Sequence, residues 1–428
     1  MSLVEVTEVN VAGADDVLIA QGLDRPAAGQ SGDFFGFDLR GWVLGRRCSA
    51  EEVVVAEAGG MVRRIAVEGE RPDVAERFPD TAWAHGSGFF APIGALRLAP
   101  SFELDVSVRL TDGAEAPLAT LAGRRRALRT PFEPSIHPIF LTALGRTGST
   151  AFTRLLSSHP SVAAYRPFEY EPRIVTYWLD ALKDLAEPAS FRRQVAPNGP
   201  LTGDWWVGAR EPFPRRLMDD DVQGWLGGEG IEALAAFCQE RIDTVYRRIA
   251  ARFDRLGASH FVEKLGPDTG ALARELYPSA REIFLVRDFR DVVASIFAFN
   301  AQRGIEGFNR AGAPSDVAYV SDWVSESADA FLRAWRARAE GAHLVRYEDL
   351  VKRPREVVAE TVAYLELDAP PGTIDAMLKS LDEPASDVHR TTAPERSIGR
   401  WERDLPSDVR EACRGALGEA LEAFGYPA

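Results

Sequence analysis

Cysteine is scarce in this chain. Three residues, Cys48, Cys238 and Cys413, are too few and too far apart for a disulfide framework or a metal-ligand cluster. They read as small buried hydrophobes. Long apolar runs are missing too. No stretch of roughly 18 apolar residues occurs, so no membrane span is expected. The opening MSLVEVTEVN has neither the basic nor the apolar segment of a leader, and a cytoplasmic protein is expected. Positive charge is in deficit: 50 Lys and Arg stand against 64 Asp and Glu, for a net charge of −14. That argues against nucleic acid or an anionic membrane as partner, although a local basic cleft is compatible with it. No internal repeat, low-complexity tract or interface stripe stands out.

The chain has 428 residues, more than one core usually organises, so at least two domains are expected. Residues 1–122 carry short alternating segments at 34–44, 52–55, 61–67 and 102–110. In the last, Phe102, Leu104, Val106 and Val108 fall on one face at period two. Gly, Pro and Asp clusters separate them, which predicts a β-rich, sandwich-like domain. The stretch 69–90 reads as a longer connection, with His85 a loop residue. Residues 123–138, GRRRALRTPFEPSIHP, read as an interdomain linker whose arginines Arg124, Arg125, Arg126 and Arg129 form a solvated face.

From residue 139 the rhythm changes. Ile139, Phe140, Leu141, Ala143 and Leu144 predict a buried strand; Gly145-Arg146-Thr147-Gly148 a turn; and Phe152, Leu155 and Leu156 an amphipathic helix. A turn of that kind points backbone N–H groups at one spot, at the positive end of a helix dipole. Arg146, Thr147, Ser149 and Thr150 add side-chain donors, so the stretch suits a phosphate-like anion. It lacks the Lys of a Walker A motif, and with it the usual magnesium-holding ending. Further strands are expected at 260–264, 282–286 and 343–346, alternating with helices at 231–253, 268–277, 291–299, 325–340 and 355–365. Residues 139–428 therefore read as an α/β domain with a parallel sheet covered on both faces. Ligands of such sheets sit outside the carboxyl ends of the strands. Those ends carry Arg146, Lys264, Arg287 and Arg346, a cationic group fit for a polyanion in an acidic protein.

The same residues carry a family resemblance. The segment 282–295, EIFLVRDFRDVVAS, resembles the 3′-phosphate-binding segment of sulfotransferases: a strand, an Arg, an "RDPRD"-like turn and a Ser. Arg287 and Ser295 hold the contact positions, and Phe289 replaces the usual Pro. LGRTGST at 144–150 is similar to the family's 5′-phosphosulfate loop, often "PRSGTT". RYEDL at 346–350 matches a further family segment, and RSIGRW at 396–401 resembles its late, cofactor-closing loop. The resemblance implies a nucleotide-kinase-like sulfotransferase fold with 3′-phosphoadenosine 5′-phosphosulfate (PAPS) as co-substrate and no metal. On it, Gly145, Arg146, Thr147, Gly148, Ser149 and Thr150 take the 5′ end, Arg287 and Ser295 the 3′-phosphate, and Arg396, Gly399 and Arg400 close over it. The N-terminal domain, in its "GW … RPDV … FP … GF" pattern, resembles β-sandwich modules seen beside bacterial glycosyltransferases.

Transfer of a sulfuryl group to a hydroxyl benefits from a general base. The segment 166–172, RPFEYEP, follows the first helix, where the family often places a catalytic Glu. Glu169 is expected as the base, with Glu171 next in line and an ion pair to Arg166 or Arg173 as the structural reading. Lys264, where the family has a "KTP"-like segment, is expected to touch the sulfuryl group or orient the base; here Leu-Gly-Pro follows it. His159 and His260 read as structural, and Glu348 and Asp349 as partners of arginines or a helix cap. Trp205, Trp206 and Trp225 fit either an acceptor pocket or packing. The resemblance implies a hydroxyl acceptor, with a glycan or small molecule as the expectation. A metal-dependent P-loop phosphotransferase and a non-catalytic anion-binding scaffold are the competing readings.

Overall fold

A computed structural model describes residues 2–13, 16–32, 34–57, 60–167, 170–186, 228–382 and 392–427. The chain divides into two compact units, Met1–Phe132 with Tyr177–Gln239, and Glu133–Thr176 with Glu240–Ala428.

The first unit is a β-sandwich. Its strands are β1 (Val4–Val11), β2 (Leu18–Arg25), β3 (Gln30–Gly32), β4 (Gly36–Gly45), β5 (Ala50–Glu57), β6 (Gly60–Ala66), β7 (Gly88–Gly94), β8 (Ser101–Leu110) and β9 (Glu115–Arg125). One antiparallel sheet runs β3-β1-β9-β8-β5-β6 and a second β2-β4-β7. The alternation in β8 does what period two requires: Phe102, Leu104, Val106 and Val108 are buried while Glu103 and Asp105 face water. They meet Leu18, Phe37, Leu39 and Ile93 of the facing sheet in one core. The 69–90 connection contains a short helix, Pro72–Arg77, started by its proline.

Strand β9 runs on to Arg125, and the next strand begins at His137. Gly123–Arg125, expected in the linker, are therefore sheet. Gly123 is glycine because a Cβ there would come within 2.4 Å of the Phe102 ring. The neighbouring arginines are engaged rather than merely solvated: Arg124 bonds Glu5, Arg125 donates to the Leu98 carbonyl, and Arg126 pairs with Glu232.

The second unit holds a five-stranded parallel sheet, β11-β12-β10-β13-β14. Its strands are β10 (His137–Ala143), β11 (Val162–Ala163), β12 (His260–Leu265), β13 (Arg281–Val286) and β14 (Ala342–Arg346). Central strands covered on both faces read as unbroken apolar runs, and IFL in β10 and IFLV in β13 are such runs. Alternate residues go to opposite cores. Ile139, Leu141, Ile283 and Leu285 join Phe152 and Val358 on one face, and Phe284 and Val286 join Phe289 and Phe331 on the other. Strand β10 lies in the middle, between β12 and β13, so its carboxyl end opens the crevice where the strand order reverses. Beyond it come the turn and the helix Ser149–Ser157. Three further helices of the chain are Ile174–Ala186, Gly230–Arg252 and Phe289–Arg303, of which only the last lies wholly within this unit. The last starts directly after β13, capped by Asp288, whose side chain accepts the Arg290 N–H.

Candidate active site

The turn after β10 is shaped by two close approaches. Gly148 has φ 93°, a left-handed conformation that glycine adopts freely, and a Cβ there would lie 2.7 Å from the Tyr347 ring. A Cβ on Gly145 would lie 2.7 Å from the Phe308 ring. Arg146 between them is held at φ 65°, unusual for a residue with a side chain. Its guanidinium lies over the Phe299 ring at 4.6 Å, and its Nε–H donates to Ser295 Oγ at 3.1 Å. Burial pushes the Arg146 pKa down to about 10, and the nearby charges of Arg287 and Arg400 push the same way.

Arg287, at the end of β13, is only 4% exposed. It donates from Nη1 to the Arg146 carbonyl at 3.0 Å and from Nη2 to the Ser397 carbonyl at 2.7 Å. Its guanidinium lies 4.7 Å from the Tyr347 ring centre. Its buried Nε has no partner among the described residues. A buried charged donor left unsatisfied is costly, and an anion in the adjoining space removes that cost.

These groups line one cleft of about 990 Å³. Gly145, Arg146, Gly148, Ser149, Thr150, Lys264, Arg287, Ser295 and Arg400 all border it. Thr147 does not: it is buried, and its Oγ1–H is spent on the Leu144 carbonyl at 3.0 Å. Arg396 is exposed and is not among the bordering residues, nor is Gly399. Gly399 instead ties the late loop down, donating its N–H to Asp291 Oδ2 at 2.8 Å, while Trp401 N–H donates to Oδ1 at 3.0 Å. Burial raises the Asp291 pKa to about 6, although both N–H bonds pull it down.

At the other end of the cleft Lys264 Nζ donates to Glu171 Oε1 at 2.6 Å. Both border the cleft, and Arg173 stands 3.7 Å from the same carboxylate. Tyr170 and Arg173 have φ 54° and 52°, which turns the chain sharply on either side of Glu171. Glu169, Trp205, Trp206 and Trp225 lie outside the described residues.

Arg346 departs from expectation. It ends β14, but its guanidinium lies over the Tyr426 ring at 4.4 Å and does not border the cleft. The residue after it, Tyr347, does, and it shares a 3.0 Å hydrogen bond with Ser397 Oγ. Glu348 is structural, accepting Asp288 N–H at 3.0 Å and Tyr426 Oη–H at 2.7 Å. His159 is buried, its Nε2 2.9 Å from the Asp368 carbonyl. Sequence reasoning missed Arg303, Phe299 and Val292 as cleft residues. Their spacing with Ser295 and Ile296 is that of one helical face, which was the available signal.

A strand, glycine turn and helix, joined by a buried arginine from the neighbouring strand, build the cleft of this parallel α/β unit. The Sulfotransferase family profile matches residues 138–371, more than half of the chain, and the chain belongs to that family. A protein of Aquifex aeolicus (strain VF5), described as uncharacterized, is 25% identical over 238 residues, 55% of this chain and 26% of its own. The chain thus spans about a quarter of the length of that curated relative. Among solved structures, the sulfotransferase domain from the curacin biosynthetic pathway matches at 16% identity and TM-score 0.37, over 69% of this chain and 99% of that one. Sulfotransferase STF9 from Mycobacterium avium matches at 18% and 0.38, over 69% and 78%. Mouse sulfotransferase SULT7A1 complexed with PAP matches at 10% and 0.37, over 67% and 84%. Among the described residues no helix is long and apolar enough to cross a membrane.

Proposed function

We propose that the chain transfers a sulfuryl group from PAPS to an acceptor hydroxyl. One observation carries the reading most: Arg287 is buried at the cleft wall, its Nε without a partner among the described residues, and Arg146 and Ser295 border the same cleft. Arg287 with Ser295 would hold the 3′-phosphate. The turn's N–H groups with Arg146, Ser149 and Thr150 would hold the 5′-phosphosulfate. Arg400 suits the closing role better than the exposed Arg396. The donor supplies an activated sulfur–oxygen bond when bound. The chain's part is to align it, to stabilise with Arg146 and the turn the charge that grows on the departing phosphate oxygen, and to accept the acceptor's proton.

The proton acceptor is a carboxylate of the 169–171 segment. Glu169 retains its sequence rationale, and the Lys264 contact in the cleft favours Glu171. Lys264 would then hold that carboxylate in place and face the transferring group. No metal is needed in this scheme. The acceptor is a glycan or small-molecule hydroxyl, and the cytoplasm the setting.

Incubation with PAPS and a panel of hydroxyl compounds, followed by mass spectrometry, tests the reading. Sulfated product should appear in step with adenosine 3′,5′-bisphosphate. Glu171→Gln should lower the rate by about 10²-fold or more. If Glu171→Gln keeps most of the turnover and Glu169→Gln loses it, the base is Glu169. Absence of both products from the wild-type reaction sinks the assignment.

A further inference from the structure

Directly before Lys264 in β12 stands Glu263, to which sulfuryl transfer assigns no task. Successive strand residues point to opposite faces. Lys264 turns to the cleft; Glu263 turns inward and is 1% exposed. A buried carboxylate is expensive unless fully partnered, and here it is. Its Oε1 accepts the Val175 N–H at 3.1 Å, and the Ile174 N–H interacts with it as well. Its Oε2 accepts the Tyr246 Oη–H at 2.7 Å. The Tyr246 ring is itself fixed, stacked on Phe261 at 3.9 Å.

Ile174 and Val175 are the first two residues of the helix Ile174–Ala186. Their N–H groups are among the four that a helix cannot satisfy internally, and they lie at its positive end. Glu263 therefore caps this helix from a distant strand. The helix is preceded by the tight 170–173 turn that carries Glu171. Two consecutive residues of one strand thus hold the two ends of one short segment: Lys264 grips Glu171, and Glu263 grips residues 174 and 175.

We propose that Glu263 is a positioning residue that, with Tyr246, fixes the segment bearing the proton acceptor over the cleft. This rests on the sulfotransferase reading in taking the 169–171 carboxylates as the acceptor of the proton. The N–H and O–H donors around Glu263 hold its carboxyl group in place. Burial pushes it up to about 7, and its N–H and O–H donors pull it down.

Amide hydrogen exchange read by mass spectrometry on the full chain, paired with titration of adenosine 3′,5′-bisphosphate, tests this without needing an acceptor. Glu263→Gln keeps the acceptor oxygen and the volume. It should leave exchange of residues 170–176 within about twofold of wild type. Glu263→Ala should raise exchange there about tenfold or more while β13 amides and the bisphosphate Kd stay unchanged. Tyr246→Phe removes one bond and should give a smaller rise at the same amides, so the proposal stands testable if Glu263→Ala fails to fold. Unchanged exchange at 170–176 in Glu263→Ala or Tyr246→Phe overturns it. So does a rise spread evenly over β13, or no recovery in Glu263→Gln. Because exchange is read without turnover, an enzyme that transfers no sulfuryl group would remove the functional reading and leave this result to be judged by itself.

Discussion

Arg287 combines three features in one side chain. It bonds the Arg146 carbonyl, bonds the Ser397 carbonyl, and keeps a buried Nε without a partner among the described residues. A charge-assisted hydrogen bond is worth about 1.5–3 kcal/mol, so Arg287→Ala should weaken adenosine 3′,5′-bisphosphate binding by about tenfold to a hundredfold. Arg287→Lys should recover little, because an ammonium cannot reproduce the fork that reaches both carbonyls. Calorimetric Kd values check both. Gly148→Ala should lower Tm. The left-handed φ costs about 1–2 kcal/mol, and the new Cβ would strike the Tyr347 ring on which Arg287 rests. Since that ring must move, bisphosphate affinity should fall with stability.

Residue positions were legible to different depths. The places of Arg146 and Arg287 followed from the strands they come after, because the residues just beyond a parallel strand emerge at its carboxyl edge. Arg346 had the same warrant and went elsewhere: the backbone sets where a side chain starts, and Tyr426, far along the chain, sets where it goes. Thr147 is in the right turn but bonds its own backbone. Lys264 was expected to touch the sulfuryl group or orient a base; its contact is with Glu171, the second candidate, which the left-handed residues at 170 and 173 set in place.

Among elements, the late loop 396–401 depends on Asp291. Both carboxylate oxygens accept its N–H groups, and Arg287 and Tyr347 bond Ser397 at its other end. Burial raises the Asp291 pKa from its ordinary 3.8 to about 6. The folded state then holds this proton more tightly than the unfolded one. The stability contributed by the protonated form is complete below about pH 4 and is lost as pH rises through about 6. Asp291→Asn does not titrate, so its stability relative to wild type should increase between pH 4 and 6 and level off above. Urea denaturation across that range reads the difference. A relative stability that falls with rising pH contradicts the burial argument. Four of the five parallel strands, all but β11, the glycine turn and most helices were legible as elements, because buried parallel strands are unbroken apolar runs. The loop's tether was not, since it joins residues 108 and 110 positions apart in sequence.

On the scale of the whole chain, the first unit contains residues 177–239 as well as the N-terminal sandwich. Within it Arg97 pairs with Asp184, Arg126 with Glu232, and Thr130 Oγ1 with Gln239. Deleting residues 1–138 removes the partners of that stretch. The shortened chain should be less soluble and unfold at lower urea than the full chain, and equal stability of the two would contradict the division. Length and residue pattern led to the expectation of a β-rich domain followed by an α/β one. They could not reveal that a stretch from within residues 139–428 groups with the first unit, because that depends on partners far apart along the chain.

The claim that organises all three scales is that this acidic chain keeps one cationic cleft for a donor with two anionic ends. Isothermal titration of the full chain with adenosine 3′,5′-bisphosphate in the presence of EDTA addresses it most directly. One site per chain is expected, with binding unaffected by chelation, weaker binding of ATP with magnesium, and loss of binding in Arg287→Ala. No heat of binding with the bisphosphate, or tighter binding of ATP with magnesium, would contradict it.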